Sequence, residues 1–184
     1  MRGYFGVAVY QPKTEANIGT LWRSAYNYRA SFIATVGRRY KPQASDTTKA
    51  IKHLPLVHYR DIDDMIEHIP FYCPLVGVEL TDEAQPVSTF WHPPNCLYLL
   101  GAEDYGLPPE ILKRCHLVIK VPGTAQCLNV AVAGSIVIYD RWVKNHPTNG
   151  NVINGNHISF HEDCAYKQWF DSQFLNDPLL AGVQ

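Results

Sequence analysis

Three short polar stretches of this 184-residue chain hold the residue types that do chemistry: Asn17 to Arg23, Gly101 to Gly106, and Cys127 to Asn129. Arg23 supplies a planar, permanently charged guanidinium whose fork matches phosphate. Ile18, Leu21, Trp22 and Ala25 recur at helical spacing, and Arg23 lies off that apolar stripe, free to face a ligand. Cys127 is a candidate nucleophile, but no His stands in a recognisable partner pattern, so packing or contact with a ligand is the better reading. Asn17 and Asn129 stand where N-caps belong. Glu103 precedes Pro108 and could serve a helix dipole. Gly101 and Gly106 could turn the chain, and Gly101 also suits a close approach of backbone to ligand. Taken singly, each of these residues except Arg23 is accounted for by local structure. GxxxxGK, GxGxxG and GxSxG are absent, which excludes a P-loop, a dinucleotide fingerprint and a nucleophile elbow.

The elements that must position these stretches alternate between strand-like and helix-like. Apolar runs predict strands over residues 4–10, 31–36, 74–80, 96–100 and 117–121. Helical spacing predicts helices from Asn17 through Ala25, over 61–69, over 110–115 behind Pro108-Pro109, and from Val130 to Lys144. The last of these is rich in β-branched residues, and its unbroken length is what favours a helix over a strand. It ends in Arg141 and Lys144, cations suited to a C-terminus, and its Ala131, Ala133, Gly134 and Ser135 are small enough to let another backbone come close. Between residues 81 and 94, Val87, Phe90 and Trp91 share helical spacing before Pro93-Pro94. The alternation predicts an α/β domain, a mainly parallel sheet with helices on both faces, whose ligand crevice lies at the carboxyl ends of the strands.

Composition sets the class. Hydrophobic residues make up 46% and charged residues 18%, a globular balance, and no apolar run is long enough for a membrane span. The N-terminus runs directly into a strand, so no signal peptide is expected. Five scattered cysteines without a CxxC pair suit a reducing cytoplasm and argue against a disulfide framework or zinc ribbon. The net charge of −1 conceals a segregation. Eight bases and one acid fall between Arg23 and Arg60, interleaved with Tyr26, Tyr28 and Tyr40; from Asp61 to Glu110 there are ten acids and no Lys or Arg. That basic quarter could meet phosphate, or be a solvated surface. Residues 1–145 make one domain; 146–184 form an extension rich in Asn and Gly at its start, with Tyr166, Trp169, Phe170 and Phe174 spaced for one helix. His157, His161 and Cys164 are better read as incidental than as a metal cluster, and no metal is expected.

The polar stretches, taken together, resemble the SpoU family of the SPOUT RNA methyltransferases. Its N-x-G-x-x-x-R stands as Asn17-Ile18-Gly19-Thr20-Leu21-Trp22-Arg23. Its G-x-E-x-x-G-L stands as Gly101-Ala102-Glu103-Asp104-Tyr105-Gly106-Leu107. Its third motif stands as Val121-Pro122-Gly123, then Cys127-Leu128-Asn129-Val130-Ala131-Val132-Ala133, with Cys127 for the usual Ser and Gly123 for the usual Met. The three occur in order across most of the chain to Lys144. The resemblance implies a SPOUT fold with a C-terminal deep trefoil knot, a homodimer, and S-adenosylmethionine-dependent 2′-O-ribose methylation of RNA, tRNA rather than ribosomal RNA. It implies cofactor contacts at Gly101, Val121, Leu128, Val78 and Cys127. It implies catalytic roles for Arg23, Asn17, Glu103 and Asn129, with Arg23 binding the target phosphate and stabilising the developing alkoxide. Arg23, Arg38, Arg39 and Lys41 would dock the RNA. An RNA-binding protein of this fold without transfer, and an RNA base methyltransferase, are the alternatives.

Overall fold

The computed structural model describes residues 4–41, 52–70, 72–124 and 127–145. The extension from 146 onward, with its expected helix and its histidines, lies outside the described residues, as does Lys49.

Seven strands form one sheet: β1 (Phe5–Tyr10), β2 (Phe32–Val36), β3 (Leu56–Tyr59), β4 (Leu75–Val78), β5 (Gln85–Pro86), β6 (Cys96–Leu100) and β7 (Leu117–Lys120). Their order is β3-β2-β1-β6-β4-β7-β5, and every pairing is parallel. The central strands are continuous apolar runs because both faces are covered. β6 shows it: Cys96, Tyr98 and Leu100 enter one core with α1 (Glu15–Asn27) and α4 (Val130–Asn145), while Leu97 and Leu99 enter the other with α2 (Ile62–His68) and α3 (Pro109–Leu112). Ile18, Leu21, Trp22 and Ala25 are the buried face of α1, as their spacing predicts, and Arg23 is exposed. Gly134 lets α4 cross close to α1, since a Cβ there would lie 2.6 Å from Leu21 Cδ1.

Three local expectations change. Helix α1 begins at Glu15, so Asn17 lies inside its first turn and is not its N-cap. The segment 81–94 is not a helix: it holds β5 and a single 3₁₀ turn, Val87–Thr89. Side chains there take the backbone partners a helix would need, Gln85 donating to the Thr89 carbonyl and Thr89 Oγ1 to the Pro86 carbonyl. Strand β3 has no counterpart in the apolar pattern, because it is a half-buried edge strand carrying His58, whose Nδ1 meets Thr35 Oγ1 at 3.1 Å.

The expected C-terminal role of Arg141 also changes. Its side chain is buried, 4% exposed, with the guanidinium 4.6 Å from the centre of the Phe5 ring. It donates to the carbonyls of Pro93 at 2.5 Å and Pro94 at 2.7 Å. Beside it His92 Nε2 lies 2.8 Å from Asp140, and Lys144 donates to the carbonyls of Val87, Ser88 and Phe90. The end of α4 thus clamps the loop that leads into β6. No helix among the described residues is long and apolar enough to cross a membrane.

Candidate active site

The registers Val9 with Leu100, Leu100 with Val78, and Val78 with Ile119 bring the carboxyl ends of β1, β6, β4 and β7 side by side. After β1 the chain turns onto one face as α1, and after β6 onto the other as α3. Loops diverge at that point, which is where an open α/β sheet forms its crevice.

A cavity of about 340 Å³ occupies it. Val78, Glu79 and Leu80 come from the end of β4 and just beyond it, residues 101–106 from the loop after β6, Val121 from just after β7, Cys127 and Leu128 from the approach to α4, and Val130 and Ala133 from its first turn. All five residues expected at a cofactor, Val78, Gly101, Val121, Cys127 and Leu128, therefore line one cavity. Leu128 is 45% exposed, an unusual position for a large aliphatic side chain and a surface suited to a flat ring. The described lining carries three carboxylates, Glu79, Glu103 and Asp104, and no Lys or Arg. Asp104 is paired with Lys13 at 2.5 Å, so Glu79 and Glu103 are the carboxylates that leave the wall net negative and favour a ligand with positive charge.

The loop after β6 is a small closed hairpin in which Ala102 and Gly106 exchange backbone hydrogen bonds at 3.1 and 3.0 Å. Gly106 has φ +65°, and a Cβ on Gly101 would fall 2.2 Å from the Gly106 backbone. The glycine at 101 is thus demanded by its own loop as well as by its place in the cavity wall. Glu79 locks this hairpin to β4, accepting from Leu107 N at 2.6 Å and Leu80 N at 2.9 Å. Sequence reasoning missed Glu79; its signal was an acid placed directly after the buried run Leu75 to Val78.

Glu103 does more than favour a dipole. Its carboxylate accepts from Lys13 N at 2.8 Å, Thr14 N at 2.9 Å and Asn17 Nδ2 at 3.1 Å. Thr14 offers α1 no side-chain cap, so Glu103 caps that helix from across the sheet. Partial burial opposes its charge, but the donors outweigh burial and hold the carboxyl below its ordinary value. Asn17 Oδ1 accepts in turn from Asn129 Nδ2 at 3.0 Å, and Asn129 Oδ1 caps α4 by accepting from Ala131 N at 2.9 Å. Asn129 is an N-cap, as expected. The relay Glu103–Asn17–Asn129 ties the three polar stretches together at one place. Ser24 and Ser135 extend the seam, with their hydroxyl oxygens 2.7 Å apart.

Arg23 stands outside the relay. It is exposed on α1, does not line the cavity, and makes no hydrogen bond with Glu103 or Asn17. Six residues separate it from Asn17, about 9 Å along a helix. Arg38, Arg39 and Lys41 are likewise at the surface, and Lys41 N donates to Glu15. Cys127 is an exposed free thiol. Among the described residues no group of His, Cys, Asp and Glu could hold a metal ion.

A doubly wound sheet with an acidic cavity at its carboxyl edge, walled by three tied loops, defines a ligand-binding α/β domain. Residues 4–139 match the model of the SpoU rRNA Methylase family, and the chain belongs to that family. Over 72 residues it is 33% identical to the 23S rRNA (guanosine-2′-O-)-methyltransferase RlmB of Acinetobacter baylyi, covering 38% of this chain and 29% of that protein. The chain thus spans only part of the length of this curated relative. The structure of the SpoU methyltransferase AviRb from Streptomyces viridochromogenes in complex with AdoMet superposes with TM-score 0.70 at 24% identity, covering 79% of this chain and 62% of that one. A protein solved for 2-OH methylation of C/U34 on tRNA superposes with TM-score 0.68 at 22% identity, over 78% of this chain and 97% of the other.

Proposed function

We propose that this chain is an S-adenosylmethionine-dependent RNA 2′-O-ribose methyltransferase that acts on tRNA in the cytoplasm as a homodimer. The observation that carries the reading is the convergence of the five expected cofactor residues on one cavity whose charged side chains are all acidic. S-adenosylmethionine fits that wall, being cationic at its sulfonium, and when bound it supplies a methyl group activated for attack. Backbone at Gly101, Val121 and Leu128, with Val78 beneath, would hold it, and the apolar Val121 and Leu128 side chains would flank its adenine. Once the methyl has left, the product no longer carries the sulfonium charge, so the carboxylates favour its release.

The remaining work is positioning and electrostatics. Arg23 lies outside the cavity of its own subunit, so in the homodimer it would serve the cavity of the partner, binding the target phosphate through its fork and stabilising the alkoxide that forms at the 2′-oxygen, the proton leaving through that phosphate or water. A guanidinium is always charged, so it acts as a clamp and not as a free base. The relay of Glu103, Asn17 and Asn129 holds the three loops in register. Arg38, Arg39 and Lys41 dock the RNA backbone. Tyr28, Tyr139 and Trp142, with ring centres 5.7 and 6.0 Å from Tyr28, give α1 and α4 an aromatic face for a second subunit. In the same reading residues 1–145 are the methyltransferase domain, and the chain near the third motif threads a loop to make a C-terminal trefoil knot.

The choice of tRNA is supported by the structure solved for tRNA methylation, 97% of whose chain is covered in the superposition. Transfer of labelled methyl from S-adenosylmethionine to tRNA and to ribosomal RNA, side by side, tests it. Label in tRNA is expected; label only in ribosomal RNA corrects the substrate, and RNA binding with no calorimetric heat from S-adenosylmethionine and no transfer marks an RNA-binding protein of this fold. Arg23→Lys keeps the charge and loses the fork, and is expected to lower transfer by about 100-fold.

A further inference from the structure

The relay and the cavity leave the far side of α1 unused. There Tyr26, 42% exposed, stacks on the exposed His53 with ring centres 5.4 Å apart and planes tilted by only 22°. The pair is rigidly mounted. His53 precedes Leu54, which is 3% exposed, and the Leu54 carbonyl accepts from Trp22 Nε1 at 3.1 Å. The turn bearing His53 is therefore pinned to α1 beside Tyr26. Arg23 sits one helical turn before Tyr26, about 5–6 Å away between Cβ atoms; Lys52 adjoins His53 and Arg29 follows three residues after Tyr26 in the chain, and all three are exposed. None of the three forms an ion pair with a described residue.

We propose that the Tyr26–His53 pair is a base-stacking platform, on which RNA lays an unpaired base next to the phosphate gripped by Arg23. The proposal rests on the RNA-methyltransferase reading and narrows its substrate to a single-stranded loop. Two stacked rings exposed to water, with Arg23 one turn away and Lys52 next to His53 in the chain, match the combination that single-stranded nucleic acid requires: a flat apolar surface for the base and positive charge for the backbone. A continuous duplex has no free base face to offer, so it could reach the cations but not the rings. Tyr26 stacks on His53 whereas Tyr28, just past the end of α1, packs on Tyr139, which separates this surface from the aromatic face given to a second subunit.

The test uses the full chain, its Tyr26→Ala, Tyr26→Phe and His53→Ala variants, and two probes, unfractionated tRNA and a blunt RNA duplex. Tyr26→Ala is expected to weaken tRNA binding roughly 5- to 150-fold, the loss of one base stack. Tyr26→Phe keeps the affinity, His53→Ala loses less than Tyr26→Ala, and duplex binding, carried by backbone charge, stays the same in all three. Calorimetric affinity for S-adenosylmethionine and the oligomeric state should not move. The platform is overturned if Tyr26→Ala binds tRNA as the parent does, loses tRNA and duplex equally, or changes oligomeric state in step with its loss. A parent chain that binds S-adenosylmethionine but neither RNA overturns the RNA reading and the platform together, whereas intact RNA binding indifferent to Tyr26 removes the platform alone.

Discussion

At the C-terminal end of α4 four polar side chains are withdrawn from water and paired; at its N-terminal end Cys127, Leu128 and Asn129 stand in solvent, and only Asn129 is tied down, by the relay. His92 is 1% exposed and Arg141 4%, and His92, Asp140, Arg141 and Lys144 together meet carbonyls, the Tyr98 hydroxyl or each other. One helix therefore has an end committed to holding the fold and an end that leaves an apolar side chain and a thiol uncovered beside a cavity. The difference teaches where to look for function: saturated polar groups carry structure, and uncovered ones await a ligand.

The comparison breaks most readily at the buried end. Arg141→Met leaves the carbonyls of Pro93 and Pro94 without donors, and chemical denaturation should show a loss of about 3 kcal/mol or more. If the variant is as stable as the parent, the clamp is not structural.

A pH titration of stability probes the same end. Burial, reinforced by the Arg141 and Lys144 charges and only partly opposed by Asp140, pushes His92 down to about 4. In the unfolded chain a His takes its proton near pH 6.5. Between those values the unfolded chain holds the extra proton, so stability present above pH 6.5 is lost as the pH falls toward 4, by about 3 kcal/mol. His92→Gln, which still offers a donor to Asp140 and an acceptor to Tyr98, should flatten that slope. A parent curve that is already flat over this window contradicts the buried neutral His.

At the open end the effects on stability are smaller and the effects on function larger. Asn129→Ala removes the cap of α4 and the link to Asn17, costing about 1 kcal/mol by thermal unfolding. Its affinity for S-adenosylmethionine should fall further than that loss explains, because Cys127 and Leu128 lose their register; unchanged affinity would separate the relay from the cavity.

Gly19→Ala gives the finest test. A Cβ there meets nothing nearer than the Tyr40 hydroxyl at 3.8 Å, so nothing among the described residues requires glycine. Alanine should stabilise the helix by about 0.5–1 kcal/mol. If the proposed RNA or second subunit packs against that bare backbone, methyl transfer should nevertheless fall. Full transfer with raised stability would place Gly19 outside any contact.

Much of this was legible because strands buried on both faces write themselves as unbroken apolar runs. β6 was legible to the residue, and α1 displayed its buried stripe at Ile18, Leu21, Trp22 and Ala25. The cavity wall was legible only through the three motifs in concert, since Gly101, Val121 and Leu128 act there by backbone and shape. Polar partnership across the sheet was not. Nothing local says that Glu103 caps a helix that starts 88 residues earlier, or that Arg141 turns inward to Pro93 and Pro94. Such bonds depend on which loops the topology brings together, and that information is not periodic.

The account stands on methyl transfer to a sugar. RNA labelled by this chain from S-adenosylmethionine, digested to nucleosides and separated, should carry its label on the ribose 2′-oxygen. Label on a base would contradict the account, as would an RNA left unlabelled by a chain that binds the cofactor.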